Sequence, residues 1–255
     1  MVQKNSVNFR PVILIGGATA TGKSSLAVEI AKRFNGEIIS ADSMQIYRGF
    51  DIGTAKITKS EMQGVPHHLI SFHDGKEYYS VKEFKDNAEF VIKNLLKQGK
   101  LPVVVGGTGL YLNSLLFNYQ FGGKGKYERG NPEYNFLPIV VEKPRDVLYE
   151  RINSRVDKML SAGLLDEIKG LLKNGYSFES IPFRAIGYKE FKGYFEGKQQ
   201  LEECVDVLKK DSRHYAKRQI TWFKQWKNVA TEIDGDNQEQ AIKLVEEFLK
   251  NGNKN

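Results

Sequence analysis

Val12-Ile13-Leu14-Ile15 runs through Gly16 into Gly17-Ala18-Thr19-Ala20-Thr21-Gly22-Lys23-Ser24, and then into Ser25-Leu26-Ala27-Val28-Glu29-Ile30-Ala31. The apolar run reads as a buried strand, the glycine-bounded segment as a tight loop, and the last stretch as an amphipathic helix. The loop has the spacing G-x-x-x-x-G-K-[ST], in the strand–loop–helix setting where that spacing cradles phosphate. Gly17 and Gly22 tolerate backbone angles that a Cβ hinders, so successive N–H groups can turn inward. The helix opening at Lys23 adds unpaired N–H groups and the positive end of its dipole. Gly17, Thr19, Ala20, Thr21, Gly22, Lys23 and Ser24 are the diphosphate-binding candidates. Lys23 can reach the outer phosphate, and the Ser24 hydroxyl can hold a magnesium ion. The loop predicts a di- or triphosphate ligand without choosing between them.

The 255 residues suffice for a full core in one large domain, or one domain with a small appendage. Hydrophobic content of 40% and charged content of 27% are those of a soluble globular chain. A formal charge of +7 is compatible with a polyanionic partner but does not identify one. Cys204 is the only cysteine, so no intrachain disulfide can form and a reducing compartment follows. The first apolar stretch leads straight into the phosphate loop. The expectation is a cytoplasmic protein with no signal peptide or membrane span.

Outward from the loop, residues 1–10 are polar and expected to fray. Glu37-Ile38-Ile39-Ser40-Ala41-Asp42 reads as a second strand with Asp42 at its carboxyl end, where open parallel sheets bind ligands. Leu69-Ile70-Ser71-Phe72 is a weak third strand. Ser80 to Gln98 predicts a helix: Phe84, Ala88, Val91 and Leu95 keep helical spacing, and Ser80 with Glu83 makes a capping box. Gly99 closes it. Leu101-Pro102-Val103-Val104-Val105 is a buried strand. It runs into Gly106-Gly107-Thr108-Gly109-Leu110-Tyr111, and a helix follows to Phe117. Residues 118–135, with Gly122-Gly123-Lys124-Gly125-Lys126, read as an irregular, mobile connection. Phe136 to Val141 resumes as a strand, and Pro138 favours a position near the sheet edge or a bulge. Leu148, Ile152, Val156 and Met159 mark another helix, and residues 164–172 another. The last third is helical and basic, with a final strand around Ile233 and a disordered tail over 251–255. The division is 1–117 as phosphate-loop core, 118–135 as linker, and 136–255 as the rest of the core plus C-terminal helices.

Beyond the phosphate loop, individual residues admit more than one role. Asp42 can cap a helix, bind magnesium or act in catalysis. Thr108 suits an N-cap. His67 and His68 are adjacent, so their side chains diverge and a shared metal is not expected. His214 has no evident partner. From Lys209 to Lys224 basic and aromatic residues interleave; Arg213, Lys217 and Lys224 can line one side while Trp222 and Phe223 pack elsewhere. That suits a solvated helix face, contact with an RNA backbone, or closure over a phosphate.

Several separated stretches together resemble the tRNA dimethylallyltransferase family, also called isopentenyl-diphosphate:tRNA transferases. They are residues 17–24, 36–48 (Gly-Glu-Ile-Ile-Ser-Ala-Asp-Ser-Met-Gln-Ile-Tyr-Arg), 51–56 (Asp-Ile-Gly-Thr-Ala-Lys) and 65–70 (Val-Pro-His-His-Leu-Ile). The others are 106–112 (Gly-Gly-Thr-Gly-Leu-Tyr-Leu), 185–190 (Ala-Ile-Gly-Tyr-Lys-Glu) and 216–223 (Ala-Lys-Arg-Gln-Ile-Thr-Trp-Phe). The resemblance implies a P-loop NTPase-like three-layer α/β core with a parallel sheet and a helical C-terminal portion. It implies transfer of a dimethylallyl group from dimethylallyl diphosphate to N6 of the adenosine beside the tRNA anticodon, with Mg2+ as cofactor. Asp42 matches the family's catalytic aspartate, Thr108 the threonine near the breaking bond, and Arg218 a diphosphate contact. Ser43, Met44 and Gln45, with Asp42, Thr108, Lys217 and Gln219, fall where the family meets tRNA. A monomer is expected.

One departure is plain in the sequence. The family commonly carries a helical insertion after the Gly-Gly-Thr-Gly-Leu-Tyr helix that helps grip the anticodon stem, and here only residues 118–135 stand there. Ser71 also occupies a position where an acidic residue is usual. The missing insertion raises prenylation of free adenylate as an alternative. The phosphate loop alone also allows a nucleotide-dependent kinase. Against the kinase, the strand ending at Val105 runs into Gly106 without a magnesium-binding aspartate.

Overall fold

In chain order the elements are β1 (Pro11–Gly17), α1 (Lys23–Arg33), β2 (Gly36–Ser40), α2 (Lys59–Met62), β3 (His67–His68), α3 (Val81–Lys97), β4 (Leu101–Gly106) and α4 (Gly109–Leu116). They continue as β5 (Tyr119–Phe121), β6 (Tyr127–Arg129), β7 (Asn135–Glu142), α5 (Arg145–Ser161), α6 (Leu164–Lys173), α7 (Lys192–Phe195), α8 (Leu201–Phe223), β8 (Thr231–Asp234) and α9 (Gln238–Gly252). The computed structural model describes residues 9–122 and 127–252; the expected fraying of residues 1–8 and the tail beyond 252 lie outside them.

Six strands form one parallel sheet in the order β3-β2-β4-β1-β7-β8. The period of two along each strand divides the apolar side chains between its faces. Ile13, Ile15, Ile38, Val103, Val105, Ile139 and Val141 pack under α1 and α9. Leu14, Ile39, Val104 and Val140 face α3, α4 and α8. Both faces are covered, so β1 and β4 are buried along nearly their whole length, as continuous apolar runs require. The result is the expected three-layer α/β core. Among the described residues no helix is long and apolar enough to cross a membrane.

Helix α3 starts as the capping box predicts: Ser80 Oγ accepts from the Glu83 N–H at 3.2 Å, and Glu83 Oε2 accepts from the Ser80 N–H at 2.8 Å. Three expectations need correction. The third strand is not 69–72 but His67–His68, because Leu69 (φ 56°) and Ser71 (φ 51°) turn left-handed and end the extended run. β7, by contrast, lies next to the edge strand β8, near the sheet edge as Pro138 favours. Pairing with β8 begins only at Ile139, so Pro138 has a partner strand on one side alone, opposite Leu14. Residues 118–135 are not irregular throughout, since β5 and β6 form an antiparallel hairpin with Tyr119 stacked on Tyr127 at 4.2 Å. Residues 251 and 252 belong to α9 rather than to a disordered tail.

Helix α8 lies across the carboxyl ends of the central strands and fixes the site. A Cβ on Gly16 would stand 2.4 Å from the Phe223 ring, one on Gly107 2.2 Å from Gln219 Nε2, and one on Gly109 2.1 Å from the Trp222 ring. Gly107 and Gly109 thus admit a helix, whereas the glycines of the phosphate loop shape a turn. Arg213 points inward, donating to Asn153 Oδ1 of α5 at 2.6 Å. Lys217, Arg218 and Lys224 remain exposed.

Candidate active site

The loop between β1 and α1 forms as the spacing predicts. Gly17 (φ 149°) and Gly22 (φ 96°) take angles that favour glycine, and Ala20 is left-handed as well, at φ 63°. Thr21 Oγ1 donates to the Ala18 carbonyl at 2.9 Å, and Lys23 Nζ donates to the same carbonyl at 3.0 Å. Lys23 is therefore held over the loop that it serves. Burial pushes its ammonium down to about 8, the Arg155 guanidinium pushes in the same direction, and the Asp42 charge opposes both. An arriving diphosphate reverses the balance, because it supplies the counter-charge that the buried ammonium lacks.

Asp42 ends the β2 side and faces this loop. Its Oδ1 accepts from the Met44 N–H at 2.9 Å and the Gln45 N–H at 3.3 Å. Among the described residues Oδ2 takes no hydrogen bond and is left to the cleft. Both the capping and the reactive reading of Asp42 thus have an oxygen to serve them. Thr108 stands at the N-cap position of α4, but its hydroxyl does not cap that helix. It accepts from the Ser43 N–H at 3.0 Å and donates to Ser43 Oγ at 3.3 Å, which ties the loop after β4 to the Asp42 turn. Met44 lines the cleft. Gln45 Nε2 donates to the carbonyls of Thr54 and Ala55 at 3.4 and 3.3 Å. Ser71 accepts from Lys56 Nζ at 2.8 Å, so that lysine is held without an acidic residue at 71.

The phosphate loop and the Asp42 turn both line one open cleft of about 1340 Å³. Its cations include Lys23, Lys56, Arg155, Lys158, Lys189 and Arg218. Arg218 lies over the Tyr215 ring at 5.6 Å and reaches the cleft from α8. Lys217 does not line the cleft. Gln219, which the resemblance places against tRNA, is buried and turned inward. Its Oε1 accepts from the Thr19 N–H at 2.8 Å, and its Nε2 donates to the Gly107 carbonyl at 3.0 Å. Both ends of the amide are used in joining the phosphate loop to the loop after β4, although Gln219 still lines the cleft.

Arg155 is a site residue that the motifs do not reveal. Its guanidinium donates to Thr19 Oγ1 and, at 3.4 Å, to the Ala55 carbonyl. Burial lowers its pKa, with Asp42 the largest opposing influence, yet a guanidinium stays charged at any working pH. A signal was present: Arg155 is three residues after Ile152 and four before Met159, inside the apolar stripe of α5. A solvated face does not put a cation there.

Among the described residues no group of three His, Cys, Asp or Glu side chains converges as a metal cage. His67 and His68 diverge, to the Val65 carbonyl and to Glu37 respectively. The Ser24 hydroxyl, exposed in the first turn of α1, is an oxygen donor at the loop suited to a hard cation. Such a site fits magnesium only as an ion whose remaining ligands come from diphosphate and water.

The IPP transferase family model matches residues 45–129 and 118–226. A tRNA dimethylallyltransferase from Caldanaerobacter subterraneus subsp. tengcongensis is 42% identical, over 84% of this chain and 88% of that protein. The chain belongs to the tRNA dimethylallyltransferase family. A tRNA dimethylallyltransferase from Streptococcus sanguinis is 39% identical, over 93% of this chain and 98% of its own length. The crystal structure of a tRNA isopentenylpyrophosphate transferase from Bacillus halodurans matches at TM-score 0.86 and 37% identity, covering 96% of this chain and 98% of that one. A eukaryotic dimethylallyltransferase captured acting on tRNA matches at TM-score 0.86 and 27% identity, covering 95% and 80%. The Streptococcus alignment runs over 294 positions, more than the 255 residues here, so this dimethylallyltransferase lacks segments that its relative has. The two matched stretches of the family model meet at 118–129, where the β5–β6 hairpin stands.

Proposed function

We propose that the cleft moves the dimethylallyl group of dimethylallyl diphosphate to N6 of the adenosine beside a tRNA anticodon. The supporting observation is the opposition of Asp42 Oδ2 to the amide loop and Lys23 across one cationic cleft. An exocyclic adenine amine is a poor nucleophile, because its lone pair is delocalised into the ring. Asp42 takes the N6 proton as N6 bonds to the allylic carbon. The carbon–oxygen bond to diphosphate breaks at the same centre, and charge grows on the departing oxygens. Loop N–H groups, Lys23, Arg155 and Arg218 are directed at that charge. Ser24 would hold magnesium, which would supply further charge neutralisation for the leaving group. The acceptor adenine must leave its stack, at a cost of a few kcal/mol that is smaller in a loop than in a duplex.

The proposed assembly is a monomer, and a tRNA substrate implies the cytoplasm. The missing segment between α4 and β7 favours one second reading, prenylation of free adenylate by the same groups. Incubation with dimethylallyl diphosphate and either unmodified tRNA or AMP, followed by mass analysis of the nucleosides, separates the two. Dimethylallyl adenosine in tRNA is the expected product. Product from AMP alone overturns the choice of acceptor, and phosphoryl transfer from ATP with no prenyl transfer overturns the chemistry.

A further inference from the structure

Glu167 lies in the first turn of α6, outside every stretch that carries the family resemblance. Its carboxylate is saturated by donors. Oε2 accepts from the N–H groups of Asp51 at 3.0 Å and Ile52 at 2.7 Å. Oε1 accepts from the Gly53 N–H at 3.0 Å and from Tyr188 Oη at 2.7 Å. Three successive amides converging on one anion form a nest, here occupied by the protein's own side chain. Among the described residues no lysine, arginine or histidine pairs with Glu167, so main-chain dipoles and one phenol hold its charge. Tyr188 is fully buried, and its ring stands 2.3 Å from where a Cβ on Gly53 would project. The contact leaves that turn no room to shift towards α6.

The other side of the same turn is a wall of the cleft. Asp51, Ile52, Gly53, Thr54, Ala55 and Lys56 all line it. The Thr54 and Ala55 carbonyls accept from Gln45, beside the turn that Asp42 caps. The Ala55 carbonyl also accepts from Arg155, which donates to Thr19 of the phosphate loop. Lys56 Nζ pins the end of the segment to the Tyr47 carbonyl at 2.6 Å. One short segment therefore touches both halves of the site while Glu167 grips it from behind.

We propose that Glu167 is a positioning residue for prenyl transfer: its carboxylate clasp fixes the 51–56 wall, and through it Gln45 and Arg155, relative to Asp42 and the phosphate loop. The inference rests on the transfer reading above. Glu167→Gln is the informative change, because it keeps the shape and removes the match. An amide nitrogen at either oxygen position meets at least one backbone N–H that it cannot accept. Glu167→Asp keeps the charge one methylene short, and Tyr188→Phe removes a single donor.

The test combines steady-state prenylation of tRNA, corrected for folded fraction, with amide hydrogen exchange on the unliganded protein. E167Q is expected to lower kcat about tenfold or more, since a displacement of about 1 Å can cost about 10²-fold. The KM for dimethylallyl diphosphate should stay within about threefold, because the loop amides and Lys23 still hold the donor. Exchange at residues 51–53 should speed up while α6 amides keep their protection, and E167D should recover part of kcat. Wild-type kcat in E167Q overturns the proposal. So does a loss of kcat that tracks global unfolding with 51–53 still protected. Should E167Q fail to fold, Y188F decides in its place: faster exchange at Gly53 with reduced kcat supports the clasp, and neither change overturns it. If the wild-type protein prenylates no acceptor, the transfer reading falls, while the exchange data still decide whether the clasp exists.

Discussion

Replacing Gln219 by Met retains an unbranched side chain of similar length and deletes both hydrogen bonds that join the two loops. The Thr19 N–H loses an acceptor at 2.8 Å and the Gly107 carbonyl a donor at 3.0 Å. Leaving a buried polar group unpaired costs about 1–3 kcal/mol, so two of them bound the loss at about 2–6 kcal/mol. Gly107 is closed off, whereas Thr19 borders the cleft and can recruit water. That puts the expectation in the lower part of the range, about 2–3 kcal/mol. For a chain of this size it lowers Tm by about 4–12 °C. Because Thr19 belongs to the phosphate loop, donor binding should weaken as well, by about tenfold for about 1.4 kcal/mol of lost preorganisation. Urea unfolding and calorimetric titration with diphosphate read the two effects on the same sample. Stability within about 0.5 kcal/mol of wild type together with unchanged diphosphate affinity would refute the reasoning.

Two further expectations follow from the charges. Lys23 drops from its ordinary 10.5 to about 8 in the folded protein. Between those values the unfolded chain holds a proton that the folded one has released, so this group's contribution to stability rises with pH through that window. Diphosphate binding needs the ammonium and should weaken as pH climbs past about 8. Arg155→Met, by removing one of the causes, should move that break upward in a pH series of diphosphate affinity; a break that moves down or stays put contradicts the assignment. The exposed Lys217, Arg218 and Lys224 predict that added salt raises the KM for tRNA by counterion release, with a log–log slope of about 0.7–0.9 per phosphate neutralised. A salt-insensitive KM would exclude use of that helix.

What could be read in advance was what local chemistry specifies. The phosphate loop, the capping box of α3 and the buried strand β4 each depend on residues within a few positions of one another. Helix α8 shows the limit. Its basic and aromatic composition was visible, but which side chains turn inward depends on glycines at 16, 107 and 109, more than ninety residues away in chain order. The bracing role of Gln219 between the two loops was therefore not legible in the sequence. Arg155 was hidden for a related reason, since its partner Thr19 is far away in sequence. Pro138 was legible for the opposite reason: a missing N–H confines it to a position near the sheet edge, and β8 begins pairing one residue later. The hairpin over 119–129 escaped because its strands are three residues each, too short for an alternating pattern to register.

The division of labour across the cleft is tested most directly by one calorimetric comparison, using a thiodiphosphate analogue of the donor that binds without reacting. Asp42→Asn keeps an oxygen to cap Met44 and removes the base; Lys23→Ala removes the ammonium from the loop. The account predicts that D42N binds the analogue as tightly as wild type while its transfer to tRNA is lost, and that K23A binds it weakly. Equal loss of analogue binding in both variants would make Asp42 part of the donor site and contradict its placement opposite the acceptor.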